Sequence, residues 1–92
     1  MTTRVVNLHT DPFAKHAHGF RLIDRRTVWG NPFKIGRDGT REEVIAKYRT
    51  RILARTDLLA RLPELKGKTL GCWCKPLPCH GDVLVELVEA LP

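Results

Sequence analysis

The twelve residues GCWCKPLPCHGD, Gly71 to Asp82, hold all three cysteines of the chain, and they lie between segments of different periodicity. Before them, Lys68-Thr69-Leu70-Gly71-Cys72-Trp73 reads as a buried strand. After them, Val83, Leu84, Leu87, Val88 and Leu91 recur at the spacing of one helix face over Asp82 to Leu91. The cluster is therefore a strand-to-helix loop. In open α/β sheets, ligands bind in the crevice at the carboxyl ends of strands. A helix starting there offers unpaired N–H groups and a partial positive charge to an anion. The pattern predicts Cys79 and His80 at such an N-terminus.

Ninety-two residues suffice for one modest core, so residues 1–92 are expected to form a single domain. No apolar run approaches the roughly 18 to 20 residues of a membrane helix. The start, MTTRVVNLHTDPF, has no apolar signal region. The expectation is a cytoplasmic protein without membrane association, its cysteines kept as thiols rather than paired as a disulfide scaffold.

The net charge of +6 is unevenly placed, since the last eleven residues hold three acids and no base. A basic body attracts phosphate-bearing partners such as nucleotides or nucleic acid, although basic charge also serves solubility.

Along the chain, Arg4 to Leu8 is short and β-prone and reads as a first strand. His9 to Gly19 has no sustained period and reads as a loop carrying His9, His16 and His18. Phe20 to Asp24 and Thr27 to Trp29 read as a hairpin around the charged turn Asp24-Arg25-Arg26. Trp29-Gly30-Asn31-Pro32-Phe33 is a rigid turn with an aromatic at each end. Those aromatics either anchor the loop to the core or serve a ligand. In the second case Trp29 supplies a stacking face, Gly30 lets backbone approach closely, and Asn31 offers a donor and an acceptor.

Thr40-Arg41-Glu42-Glu43 is a capping box, predicting a helix that buries Val44, Ile45, Tyr48, Ile52 and Leu53 and leaves a basic outer side. Thr56-Asp57 can cap a short second helix before Pro63. The fold class expected is α/β, a small, mainly parallel sheet covered by helices, with the strands at Val5 and Leu70 adjacent and the helices from Thr40 and Asp82 packed on them.

Three uses of the cysteine cluster stay open. Alternation along a strand turns Cys72 and Cys74 to one side, and with Cys79 and His80 they make a donor set that tetrahedral zinc accepts, although Cys-x-Cys is not a standard zinc spacing. Alternatively, Cys79 and His80 are catalytic, the thiol activated by the helix N-terminus and Lys75, with Asp82 the nearest acid to the imidazole. Or the thiols are simply packed, since buried cysteines are common.

WGNPF, the capped helix, Leu65-Lys66-Gly67-Lys68, Gly71-Cys72-Trp73-Cys74 and Cys79-His80-Gly81-Asp82-Val83-Leu84 occur here in an order that resembles the family called domain of unknown function 4326. Its members are small proteins of phages and bacteria, and a phage origin would imply the host cytoplasm. The likeness runs from Val28 to the C-terminus. Upstream, where such proteins carry a Tyr-Ile-Gly-Arg segment, this chain reads HAHGFRLIDRRT from His16 to Thr27.

The resemblance implies positions rather than a reaction. On the residues, two functions are carried forward. One is binding or processing of a nucleotide-like or nucleic-acid ligand through Trp29, Gly30, Asn31, Lys75, Asp82 and the Cys/His loop. The other is a non-enzymatic basic module for nucleic acid or a host protein.

Overall fold

The computed structural model describes residues 3–16, 18–73 and 77–91. Three strands form its sheet: β1 (Arg4–Asn7), β2 (Phe20–Leu22) and β3 (Thr69–Cys72). All four residues of β3 are buried, as its short run without charged residues demands of a central strand. Both neighbours run parallel to it, in the order β1-β3-β2, with Val5 and Arg21 flanking Leu70 on either side. The adjacency of Val5 and Leu70 is thus as the sequence implied.

Side-chain alternation divides the core between the two faces of the sheet. Val6 and Leu8, with Phe20 and Leu22 packed against them, share one cluster with Ala14 from a 3-10 helix over Pro12–His16. That helix lies in the segment expected to be loop. Leu70 and Cys72 belong to the larger cluster, formed with α1 (Arg41–Ala54), α2 (Thr56–Leu59), a 3-10 helix at Leu62–Leu65 and α3 (His80–Glu89). Val83, Leu84 and Val88 of α3 are almost wholly buried there. Each such side chain stabilises the fold by roughly 1.5–3 kcal/mol.

The capping box forms as its motif requires: the Thr40 hydroxyl accepts from the Glu43 N–H at 3.2 Å, and the Glu43 carboxylate accepts from the Thr40 N–H at 2.9 Å. Of the apolar face expected on α1, Val44, Tyr48 and Ile52 are buried, whereas Leu53 is half exposed. The α2 helix starts at Thr56 with Arg55 in the cap position, and no side chain bonds across that cap.

The hairpin expected around Asp24-Arg25-Arg26 is not formed. Phe20–Leu22 takes its hydrogen bonds from the central strand instead, and Thr27 to Trp29 is a turn. Asp24 organises that turn. Its carboxylate accepts from the Arg26 N–H at 3.0 Å, and its carbonyl accepts from both the N–H and the hydroxyl of Thr27. These local bonds satisfy backbone groups that a second hairpin strand would have used.

Because every ladder is parallel, the strands end at the same edge. Ile23-Asp24-Arg25, Trp73 and the start of α3 meet there. Among the described residues, no helix is long and apolar enough to cross a membrane.

Candidate ligand pocket at the strand ends

A pocket of about 330 Å³ opens at this edge. The segment after β2 supplies Asp24, Arg25 and Arg26, and the end of β3 supplies Trp73. Pro78 comes from the loop before α3, Cys79 and His80 from its N-terminus, Arg41, Val44 and Ile45 from the first turns of α1, and Asn31, Phe33 and Ile35 from the loop between β2 and α1. Its volume lies at the lower end of the range for small-molecule sites, and its wall is mainly apolar with a few charged groups.

The turn Trp29-Gly30-Asn31-Pro32-Phe33 is fastened to α1 by two bonds. The Tyr48 hydroxyl donates to the Trp29 carbonyl at 2.7 Å, and the Asn31 amide donates to the Val44 carbonyl at 3.2 Å. The Asn31 side-chain oxygen accepts from the Phe33 N–H at 3.0 Å. Both ends of that side chain therefore hold the loop, while Asn31 still borders the pocket. Trp29 is buried in the main core, with the Arg61 guanidinium 5.9 Å from its ring centroid.

Gly30 packs against the turn after β2. A Cβ there would lie 2.4 Å from the Asp24 carbonyl oxygen, so only glycine lets the two turns touch. Arg25 secures the same junction, its Nε donating to the Asn31 carbonyl at 3.3 Å.

On the other side, Cys79 is the N-cap of α3, and its N–H donates to the Asp82 carboxylate at 3.0 Å. That bond gives Asp82 a helix-capping role. The sulfurs of Cys72 and Cys79, both free thiols and both buried, are 3.5 Å apart. The helix N-terminus favours a thiolate, yet the hydrogen bond with Cys72 and burial together raise the Cys79 pKa. It is held as a neutral thiol.

The His80 Nε2–H donates to the Ile23 carbonyl at 2.5 Å, and its ring meets Tyr48 edge-on with centroids 5.1 Å apart. Burial lowers the His80 pKa below its ordinary value, so the ring is neutral at pH 7. Its Nδ1 is then the acceptor nitrogen.

Of the four residues expected to hold zinc, three are described. Cys72 and Cys79 touch, the His80 Nε2 is committed to a backbone carbonyl, and Cys74 lies outside the described residues. Among the described residues, no group of three His, Cys, Asp or Glu side chains is placed to hold a metal ion. Lys75 also lies outside the described residues.

Other pocket groups were not among the candidate site residues. The Trp73 indole N–H donates to the Asp24 carboxylate at 3.2 Å, and its ring packs edge-on to His9 at 4.6 Å, so residues following all three strands meet here. The Asp24 carboxylate also pairs with Arg26 at 2.7 Å, a bond that holds its pKa below the usual carboxylate range. Arg41 donates through Nη1 to the Pro78 carbonyl at 3.1 Å, tying α1 to the loop before α3. Among the described residues, neither Arg25 nor Arg41 has a carboxylate partner.

Two signals for these groups were present in the sequence. The charged turn directly follows a short β-prone run, the position where parallel sheets bind ligands. Arg41 is a cation in the first turn of a helix, where the helix dipole disfavours one.

The fold and pocket together define a small parallel α/β protein with an arginine-bordered, aromatic pocket at its strand ends. The chain belongs to the family described as Domain of unknown function (DUF4326), whose model matches residues 6–90. The match thus includes the segment before Val28.

Among its relatives is an uncharacterised 12.4 kDa protein of Enterobacteria phage T4, named for its place in the nrdA-td intergenic region. It is 38% identical over an alignment of 93 residues, gaps included, that covers 96% of this chain and 79% of the relative. An uncharacterised protein of Acanthamoeba polyphaga mimivirus is 41% identical over 81 residues, covering 79% of this chain and 60% of its own length. No solved structure matches the chain.

Proposed function

We propose that this protein binds a nucleotide-like ligand in the pocket at the strand ends. The observation that carries the reading is a single pocket lined both by Trp73, Phe33 and Ile35 and by Arg25, Arg26 and Arg41. A planar base stacks on the apolar and aromatic part, and a phosphate meets the guanidinium groups. The position suits an anion twice, since it combines the carboxyl ends of parallel strands with the first turn of α3.

The reading is one of binding rather than turnover. Cys79 is held as a neutral thiol by Cys72, and His80 is anchored to Ile23. These contacts support binding over nucleophilic turnover.

Isothermal titration with the four deoxynucleoside monophosphates, their nucleosides and inorganic phosphate tests the proposal. At least one monophosphate should bind more tightly than its nucleoside or phosphate. Arg41→Gln should weaken it by about tenfold, as loss of a charge-assisted hydrogen bond does. In Trp73→Phe the ligand-dependent fluorescence change should vanish, because the remaining Trp29 is in the core. Absence of binding by every monophosphate, or equal affinity in Arg41→Gln, would sink the reading.

A further inference from the structure

A second recess, of about 410 Å³, adjoins the first and shares Arg25 and Asn31 with it. Its other borders include Thr27, Val28, Arg51 and Arg55. Arg51 and Arg55 stand four residues apart, Arg51 near the end of α1 and Arg55 just beyond it, so they are presented on one side of the chain. Arg55 is paired with Asp57 at 2.8 Å, whereas Arg51 has no carboxylate partner among the described residues. Arg25 stands between the recesses, held by its bond to the Asn31 carbonyl.

We infer that this second recess is a phosphate subsite continuous with the first, and that the ligand is single-stranded nucleic acid rather than a free mononucleotide. The inference rests on the proposed nucleotide reading of the strand-end pocket. A mononucleotide there brings its phosphate to the near arginines and leaves Arg51 and Arg55 unused. The next phosphodiester of a strand would continue past Arg25 onto them. The two recesses differ as such a path requires. The first carries the aromatic surface that stacks a base, and the second carries arginines with the exposed Val28 beside them, suited to backbone and sugar.

The test compares deoxyadenosine monophosphate with a short single-stranded oligodeoxyadenylate on the natural protein and on Arg51→Gln/Arg55→Gln. The oligonucleotide should bind the natural protein about tenfold or more tightly than the monophosphate. The double variant should lose that advantage while binding the monophosphate unchanged. Salt supplies an independent readout on the unaltered protein. The logarithmic slope of oligonucleotide affinity against salt should be steeper than that of the monophosphate by about 0.7 for each added phosphate contact.

Equal affinity for the two ligands with equal salt slopes would overturn the subsite and leave the nucleotide reading standing. So would a double variant that weakens both ligands alike or neither. If neither ligand binds the natural protein, the subsite is overturned, and the nucleotide reading falls with it only where the other three deoxynucleoside monophosphates fail to bind as well.

Discussion

Neutral His80 makes stability depend on pH in a window that no carboxylate confuses. Burial holds its imidazole below the ordinary 6.5, with Arg25 acting in the same direction and the Ile23 carbonyl, Asp24 and Asp82 opposing. The unfolded chain therefore takes up a proton at a pH where the folded chain does not. Stability is complete above about pH 6.5 and falls as pH drops below it. Asp24, Asp38 and Glu43, whose pKa values are also lowered, lose their contributions only near and below about pH 4. Thermal unfolding followed from about pH 7.5 to about pH 5 should show a falling midpoint in the natural protein and a flatter profile in His80→Gln. A flat natural profile would contradict a buried neutral ring. Cys79 gives a second expectation. With Cys72 against it and burial raising its pKa, neither thiol should react with iodoacetamide at neutral pH in the folded protein, and both should react in denaturant. Peptide mass spectrometry distinguishes the sites, and rapid native labelling of Cys79 would restore the nucleophile reading. The sequence placed Cys79 and His80 at a helix N-terminus because the apolar repeat that follows, from Val83 to Leu91, is a local signal. It did not show Cys72 as the partner of Cys79, because that contact closes over a seven-residue separation.

Tyr48 joins α1 to the aromatic turn through a buried hydrogen bond to the Trp29 carbonyl. Tyr48→Phe leaves that acceptor without its donor in a packed core, at a cost of about 1–3 kcal/mol. Urea unfolding should show a lower midpoint with an unchanged slope, since the surface exposed on unfolding stays the same. A midpoint equal to that of the natural protein would mean the bond contributes nothing to the anchoring of the turn. The elements themselves differ in how far they could be read beforehand. The α1 start, the α3 face and the central strand were legible because a capping box, a helical repeat and an apolar run are signals carried within a few residues. The β2 strand reads in the sequence as half of a hairpin because three residues carry too little alternation to name a partner. Its pairing with β3 is decided nearly fifty residues away, by Phe20 meeting Thr69 and Leu22 meeting Gly71. The 3-10 helix at Pro12–His16 was hidden for a related reason: short helices of this kind lack the repeat that reveals an α-helix.

The pocket belongs to no single element, which explains how much of it the sequence could disclose. WGNPF and the Cys/His loop were each visible as dense motifs, and the structure brings Asn31 and Phe33 to the same pocket as Cys79 and His80. Arg41 and Trp73 take their places in the pocket from contacts to Pro78 and Asp24, which only the packed chain creates. A ligand seated there touches the segment after β2, the end of β3 and the starts of α1 and α3 at once. None of these surfaces stays assembled when the chain unfolds. Binding is consequently linked to the stability of the whole domain. At a ligand concentration about a hundred times the dissociation constant, linkage adds about 2.7 kcal/mol. For a domain of this size that raises the unfolding midpoint by about 10 °C or more. The ligand proposed is an anion and the chain carries a net charge of +6, so screening should erode the effect. A thermal shift measured with oligodeoxyadenylate should thus be large at low salt, shrink steadily as salt rises, and fall in Arg41→Gln at every salt concentration. A shift that ignores salt would mean that the arginines around the pocket do not meet the phosphates, and a shift retained in Arg41→Gln would place the ligand elsewhere on the molecule.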